Sequence, residues 1–365
     1  MRLLLLLALT TAGSAQTLTQ WTRPTNSPVI TPNRASTFLD PVTGVQTHWE
    51  ALHTFNPAAV VRDGKIVVLY RAEDDSGEAS IGMHVSRLGL ATSTDGIHFA
   101  RQTEPVFFAA NDEQASREVP GGVEDPRIVE APDGTYVMTY TQWSRKRYAV
   151  SAGIATSSDL VHWKKYGPAF GDAGKYAKVN YKSAGILTQR IGDKIIAARV
   201  NGSYWMYWGE KPVRLATSSD LIYWKPVEDE SGKPIVLLDS RDALSDSSFA
   251  EVGPPPLLTS AGIVLLYNAK NSSDPKLGDP KLAPGAYSVE QAVFDAHDPA
   301  HLLSRTATPV FQPELAFERS GQYAAGTTFA EGLVWFRDTW WLYYGCADSF
   351  VGVAVNKSEA DAGAR

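Results

Sequence analysis

Leu90-Ala91-Thr92-Ser93-Thr94-Asp95-Gly96-Ile97-His98-Phe99 returns twice along the chain with little change. The second copy is Ile154-Ala155-Thr156-Ser157-Ser158-Asp159-Leu160-Val161-His162-Trp163, and the third is Leu215-Ala216-Thr217-Ser218-Ser219-Asp220-Leu221-Ile222-Tyr223-Trp224. Fainter echoes are Gln291-Ala292-Val293-Phe294-Asp295 and Val353-Ala354-Val355. The shared alanines fall at 91, 155, 216, 292 and 354, a spacing of roughly sixty to seventy-five residues. Each copy reads as a strand, a Ser/Asp turn, and an aromatic that packs against the next strand. Ahead of each copy stands a pair of apolar strands about a tight turn. These pairs are Ala58 to Tyr70 around Asp63-Gly64, Arg127 to Tyr140 around Asp133-Gly134, Ala184 to Arg199 around Gly192-Asp193, Pro256 to Tyr267 around Ala261-Gly262, and Gly332 to Tyr344 around Arg337-Asp338. Five such repeats of about four strands predict an all-β chain folded as a five-bladed β-propeller, with residues 16–358 as one domain. Two stacked sandwiches would not produce so regular a spacing. Polar, Gly/Pro-rich stretches at 171–181, 239–250 and 271–287 read as loops.

Composition narrows the classes. With 44% hydrophobic and 20% charged residues in 365, a disordered chain is excluded. A net charge of -6 argues against a nucleic-acid partner. The 10 Trp and 15 Tyr favour strands and also supply flat faces on which sugar rings sit. The single Cys346 excludes an intrachain disulfide and a zinc cluster built on thiolates. Met1-Arg2, the run Leu3 to Leu9 and the small-residue exit Gly13-Ser14-Ala15 read as a secretory signal peptide over 1–15. The apolar run is too short to span a bilayer, and no cysteine follows it to carry a lipid. The mature protein is therefore expected to be secreted or periplasmic, without membrane insertion. The tail at 359–365 is expected to be frayed.

In a propeller the first strand of each blade lines the axis, so residues at the starts of those strands converge on one mouth of the channel. Those residues are Asn56 before Pro57, Asp125 before Pro126, Lys182 before Ser183, Glu251 before Val252 and Glu331 before Gly332. Buried unpaired charges are costly, so such groups either pair with one another or face a solvated pocket. Pro126 is expected to hold Asp125 extended and aimed at the axis, with Glu124 pointing away. Neighbouring carboxylates could raise the pKa of Asp125 and suit it as a general acid. Arg127 shares its face and reads as a structural strand tie. Arg71, at the end of a strand, could reach a sugar hydroxyl or make a salt bridge between blades. Tyr204-Trp205-Met206-Tyr207-Trp208-Gly209-Glu210 reads as a sugar platform with a carboxylate at its lip, and Asp348 could bind a sugar diol. Arg145-Lys146-Arg147 reads as a solvated turn with an anion-binding role open. His53, His84 and His301 have no metal-ligand spacing, so no metal site is expected and these histidines read as surface or packing residues. Neither a nucleotide loop nor a serine elbow is present in the sequence.

These motifs together resemble glycoside hydrolase family 130. The carriers are Asn56-Pro57, Tyr70-Arg71-Ala72, Leu88-Gly89-Leu90-Ala91 with Asp95-Gly96, Glu124-Asp125-Pro126-Arg127, the Asp220-Leu221 to Trp224 turn, Gly253-Pro254-Pro255-Pro256, and Tyr344-Gly345-Cys346-Ala347-Asp348. The resemblance implies a five-bladed propeller that acts on β-mannosides with inversion, with no metal or organic cofactor. It implies that Asp125 is the acid, protonating the leaving oxygen through a hydroxyl of the mannose. It also implies that Asn56, Arg71, Lys182 and Asp348 hold that mannose.

Most members of such a family are phosphorylases, and a minority are hydrolases of β-1,2-linked mannosides with two glutamates where phosphate would sit. The chain departs from the phosphorylase pattern. Ala198-Arg199 stands where a His-Arg pair is expected, and position 251 is Glu rather than basic. Glu210 and Glu251 would repel a phosphate dianion and could deprotonate water. The expectation is an exported, inverting exo-glycosidase on β-mannoside oligosaccharides, with catalytic Asp125, Glu210 and Glu251. Its substrate would be bound by Asn56, Arg71, Lys182, Arg199, Tyr207 and Asp348. A β-mannoside phosphorylase, kept open by Arg199 and the 145–147 run, is the alternative. A non-catalytic carbohydrate-binding propeller and an arabinan- or fructan-active glycosidase are further alternatives.

Overall fold

The computed structural model describes residues 18–77 and 80–357; the expected leader and the tail lie outside the described residues. The chain is mostly β. Among the described residues the helical content is the four-residue helix Ala115–Glu118 and the 3-10 turn Ala316–Arg319. No helix there is long and apolar enough to cross a membrane.

Strands follow one another as antiparallel meanders. The first unit runs His53–Arg62, Lys65–Gly77, His84–Ser93 and Ala100–Arg101. The second runs Gly122–Glu130, Tyr136–Ser144, Ala149–Ser157 and Lys164–Pro168. The third is built on Ala184–Ile186, Ser203–Trp208, Arg214–Ser218 and Lys225–Pro226. In the fourth, Phe249–Val252 and Leu257–Thr259 pair with Gly262–Lys270, followed by Tyr287–Phe294 and Leu302–Arg305. The fifth is Thr328–Trp335, Trp340–Cys346 and Phe350–Asn356. Its outer edge is bridged by the N-terminal segment at Thr22↔Val355 and Ile30↔Val351.

Successive side chains of a strand point to opposite faces, and here both faces are buried. Ile66, Val68 and Tyr70 face the fifth unit, sharing a core with Val334, Phe336, Tyr343 and Val353. Val67 and Leu69 face the second unit, sharing a core with Val123, Ile128, Met138 and Tyr140. Comparable cores lie between units two and three, three and four, and four and five. Each unit thus shares a core with the next, and the fifth with the first. Residues of all five units line one narrow cavity, among them Ala59, Ile128, Ile195, Pro255 and Leu333.

The repeated Ser/Asp turn forms as its sequence implies. Asp95 Oδ1 accepts the backbone N–H groups of Ile97 and His98, Asp159 those of Val161 and His162, and Asp220 those of Ile222 and Tyr223. The weak echo at Asp295 makes the same turn with His297 and Asp298. The third hairpin differs from expectation. Ile191↔Lys194 closes about Gly192-Asp193, but the chain then turns back at Asn201-Gly202, where Val200 pairs with Ser203. The strand facing Ala184–Ile186 is thus Ser203–Trp208, and Arg199 is carried outward on the extra hairpin.

A second device recurs that the repeats did not announce. Four units place a buried tyrosine hydroxyl on a buried acid from the loop that leads into the unit, and a cation completes each set. Tyr70 donates to Glu50 (2.7 Å), which Arg101 also meets. Tyr140 donates to Glu118 (2.8 Å), paired with Lys165. Tyr267 donates to Asp246 (2.9 Å), paired with Arg241 and Arg305. Tyr344 donates to Glu318 (2.7 Å), paired with Arg23. In the third unit Tyr207 donates instead to the Pro299 carbonyl (2.8 Å). Each acid is fully buried, and its cation offsets the larger part of a desolvation cost that neutral donors alone meet poorly. Replacing Lys165 with Met should lower unfolding free energy by about 3–5 kcal/mol, the usual cost of stranding one member of a buried pair. Urea denaturation checks this, and an unchanged midpoint would show that Glu118 does not depend on Lys165.

Candidate active site

At one end of the ring, the strand starts do not run straight. An extra residue interrupts the register between Phe55 and Pro57, between Glu124 and Arg127, and between Ala330 and Gly332. The inserted Asn56 and Asp125 have φ of 45° and 48°, and Ser183 in the third unit has φ of 55°. This left-handed region is strained for a residue with a side chain, and such strain gathers at functional sites. It corrects two expectations. Asp125 is left-handed rather than extended, and Glu124 does not point away. The bulge brings both carboxylates onto one guanidinium.

That guanidinium is Arg71. Its Nη1 lies 3.1 Å from Asp125 Oδ1, and its Nη2 lies 2.9 Å from Glu124 Oε1 and 2.6 Å from Glu73 Oε1. Its Nε donates to Ser86 Oγ (3.1 Å), and Asn56 Nδ2 donates to Asp125 Oδ1 (2.8 Å). Opposite stands a second cluster. Glu210 and Glu251 are bridged backbone to backbone, and Lys182 Nζ lies 3.5 Å from Glu210 and 3.6 Å from Glu251. Ser183 Oγ donates to the Glu251 carboxylate. Glu251 is buried, whereas Glu210 and Lys182 keep side-chain exposures of 40% and 26%. Lys182 belongs to both clusters, since its charge acts on Asp125 as well as on the two glutamates.

The acids separate electrostatically. Burial favours the neutral form of Asp125, but Arg71, Lys182 and the Asn56 amide outweigh it and hold the carboxyl below its ordinary value. The expected upward shift is thus reversed, because the bulge sets Asp125 against the Arg71 guanidinium and the Asn56 amide. Burial, with Asp125 and Glu73 alongside, pushes Glu124 up to about 7 against Arg71. Burial, with Glu210 alongside, pushes Glu251 up to about 7 against Lys182. Burial, with Glu73 and Asp125 near, pushes Asp348 up to about 6 against Arg71.

Of the expected site residues, Asp125, Asn56 and Arg71 meet directly; Glu210, Glu251 and Lys182 meet directly; and Asp348 lies within the field of Arg71 and Lys182. Two do not join them. Arg199 is exposed on the extra hairpin, where its guanidinium donates to the carbonyls of Gly202 and Ser219 and stacks on Tyr204. Tyr207 is fully buried between units three and four, packed on Phe294. Arg127 ties strands as expected, though to backbone, donating to the carbonyls of Gly253 (2.6 Å) and Val252 (2.7 Å). Glu331 is buried 3.0 Å from Arg127, and burial raises its pKa well above the ordinary value. Arg145 to Arg147 form the exposed tip of a hairpin.

Sequence reasoning missed Glu73, Ser86 and Gln322, and gave Glu124 and Ser183 no part in the site. Glu73 stands two residues from Arg71 on the same strand face, a signal that could have found it. Gln322, which donates to Glu73 Oε2 (3.1 Å) and to the Asp348 carbonyl (2.8 Å), comes from a loop with no such signal. His53 and His84 pack together against Glu73, their ring centroids 5.8 Å apart. Burial, with His84 and Arg71 near, lowers the pKa of His53 despite Glu73. His301 is exposed.

A family model described as beta-1,4-mannooligosaccharide phosphorylase, of glycoside hydrolase family 130, matches residues 27–360. A 1,2-beta-oligomannan phosphorylase of Thermoanaerobacter sp. (strain X514) is 31% identical over 312 residues, covering 85% of this chain and 92% of its own length. A solved structure of a glycoside hydrolase candidate from Parabacteroides distasonis is 51% identical with a TM-score of 0.92, covering 95% of this chain and 99% of that one. Another solved structure is 48% identical with a TM-score of 0.90, covering 93% and 96%. It is described as one of the glycoside hydrolases, within the GH130 family of mannoside phosphorylases, that target beta-1,2 mannosidic linkages in Candida mannan.

The acids around Arg71 give a test. Glu124 has its folded pKa raised, so the folded state holds that proton more tightly than the unfolded state does. Its contribution is favourable below the unfolded value of 4.5 and is lost as pH rises through about 7. Removing the guanidinium enlarges this loss. Arg71→Met should cost about 3–5 kcal/mol at pH 8 and clearly less at pH 5, measured by denaturant unfolding at both. Equal losses at the two pH values would mean that Arg71 does not neutralise these carboxylates.

Proposed function

The chain belongs to glycoside hydrolase family 130, and from that premise we propose a division of labour among its acids. The protein is a glycoside hydrolase acting on β-1,2-mannosides, in keeping with its likeness to the hydrolase that targets such linkages. The closed ring of five antiparallel units is read as a five-bladed β-propeller with its site at one mouth. The leader over 1–15 is read as a secretory signal, so that the enzyme meets mannoside oligosaccharides outside the cytoplasm.

The observation that carries hydrolysis is the pairing of Glu210 with Glu251 around Lys182. A phosphate dianion placed there would face two carboxylates, with the one ammonium already shared between them. A water molecule would find acceptors for its protons. Glu251, poised near neutrality, is matched to take a proton from water at pH 7, and Glu210 at the open side orients that water.

On the other side, Glu124 and Asp125 share Arg71 and hold one proton between them near neutrality. In the free site that proton rests on Glu124. Passing it to Asp125 arms the acid, and Asp125 delivers it through a sugar hydroxyl to the leaving oxygen. Asn56, Arg71, Lys182 and Asp348 surround the mannose being released. Attack by water from the face opposite the leaving group inverts the anomeric centre.

Incubation with β-1,2-mannobiose should release free mannose at a rate independent of phosphate. Phosphate-dependent formation of mannose 1-phosphate would overturn the assignment. Asp125→Asn should lower kcat by about 10²–10⁴. The profile of kcat/KM against pH should be a narrow bell with both limbs turning near 7. Its acidic limb reports protonation of Glu251, and its basic limb reports loss of the proton held by Glu124 and Asp125. Glu251→Gln should remove the acidic limb; an acidic limb that survives in this variant assigns the base elsewhere.

A further inference from the structure

Beside Arg71, the first unit gathers three groups that the mechanism does not use as acids. His53 opens one strand and sits opposite Glu73 in register on the next. The register between that strand and the third shifts between Glu73 and Gly77, which brings His84 back beside them. The candidate ligand atoms of His53, Glu73 and His84 all lie within 4.8 Å of one another.

Their hydrogen bonds are those of ligands waiting on a cation. His53 shares Nδ1 with Ser349 Oγ (2.9 Å), which leaves its Nε2 as the available nitrogen. His84 is only 7% exposed, and its Nδ1 is buried with no hydrogen-bond partner among the described residues. An orphaned buried nitrogen leaves its desolvation cost unrelieved, and a bound cation would relieve it. Glu73 is oriented from outside by Arg71 Nη2 on one oxygen and Gln322 Nε2 on the other. Partners of this kind fix the direction of a ligating carboxylate.

We propose that His53, Glu73 and His84 form a binding site for a divalent transition metal of the zinc class. Two imidazoles and one carboxylate suit zinc and its first-row neighbours, whereas calcium and magnesium prefer oxygen donors. Ligand atoms around a tetrahedral zinc stand about 3.4 Å apart, so side-chain rotation by about 1.5 Å closes the set. Partly exposed His53 leaves an entry path and a fourth position for water. The ion would brace Glu73 and, through it, the Arg71 guanidinium that grips Asp125. The site is independent of the mannoside assignment, since it uses none of the groups that act on the sugar.

Zinc chloride titrated calorimetrically into tag-free, chelator-treated protein should bind one equivalent. His53→Gln and His84→Gln should each weaken binding by more than about 100-fold, and Gln322→Leu by about 10–100-fold, the range for losing an outer partner. Circular dichroism establishes that each variant is folded. If His84→Gln does not fold, His53→Gln decides, because its side chain is at the partly exposed edge. No stoichiometric binding, or binding that survives the folded histidine variants, overturns the site whatever the enzyme does to mannobiose.

Discussion

Every strand in the middle of this molecule has to bury both of its faces. Ile66, Val68 and Tyr70 pack against one neighbouring unit while Val67 and Leu69 pack against the other. A strand in that position has no solvent face on which to carry chemistry, so charged groups are forced to strand ends and the loops that lead into them. In the candidate site Asn56 and Asp125 sit on bulges near the starts of first strands, Ser183 just ahead of one, and Glu210 just past the end of Ser203–Trp208, while Arg71, midway along Lys65–Gly77, is buried but fully paired.

The same constraint makes the leading loops a problem, because a loop that carries a reactive acid must be held still without a strand to pair it. Four units solve it with a tyrosine hydroxyl, a buried acid and a cation. Glu50 anchors the approach to Asn56, Glu118 the approach to Asp125, and Asp246 the approach to Glu251. These sets are polar networks inside a tightly packed ring, where a fully satisfied network rigidifies and a half-satisfied one is costly. The strained backbones of Asn56 and Asp125 persist because the chain is fixed on both sides of them.

Within the site, one cation per cluster organises several carboxylates. Arg71 spans Glu73, Glu124 and Asp125, and Lys182 spans Glu210 and Glu251. Burial, together with an excess of acids over cations there, leaves Glu124 and Glu251 titrating near neutrality, while Arg71, Lys182 and Asn56 keep Asp125 low. Two carboxyls in separate clusters, each poised near neutral pH, are what a proton donor and a proton acceptor at that pH require.

Much of this was legible in the chain alone. The thrice-repeated strand with its Ser/Asp turn disclosed five units, because a turn closed by side chain to backbone bonds is a local matter settled by neighbouring residues. The strand-start rule named Asn56, Asp125, Lys182, Glu251 and Glu331, of which the first four fall in the two clusters and Glu331 pairs with Arg127. What neighbouring residues do not contain is the register. A single inserted residue turned Asp125 and Glu124 toward one guanidinium, reversed the expected pKa of Asp125 and made Glu124 part of the site. An extra hairpin took Arg199 outward, and burial between units took Tyr207. His53, Glu73 and His84 meet only because three strands align with a shift between them. Those outcomes depend on pairing between distant segments, which tertiary packing alone decides.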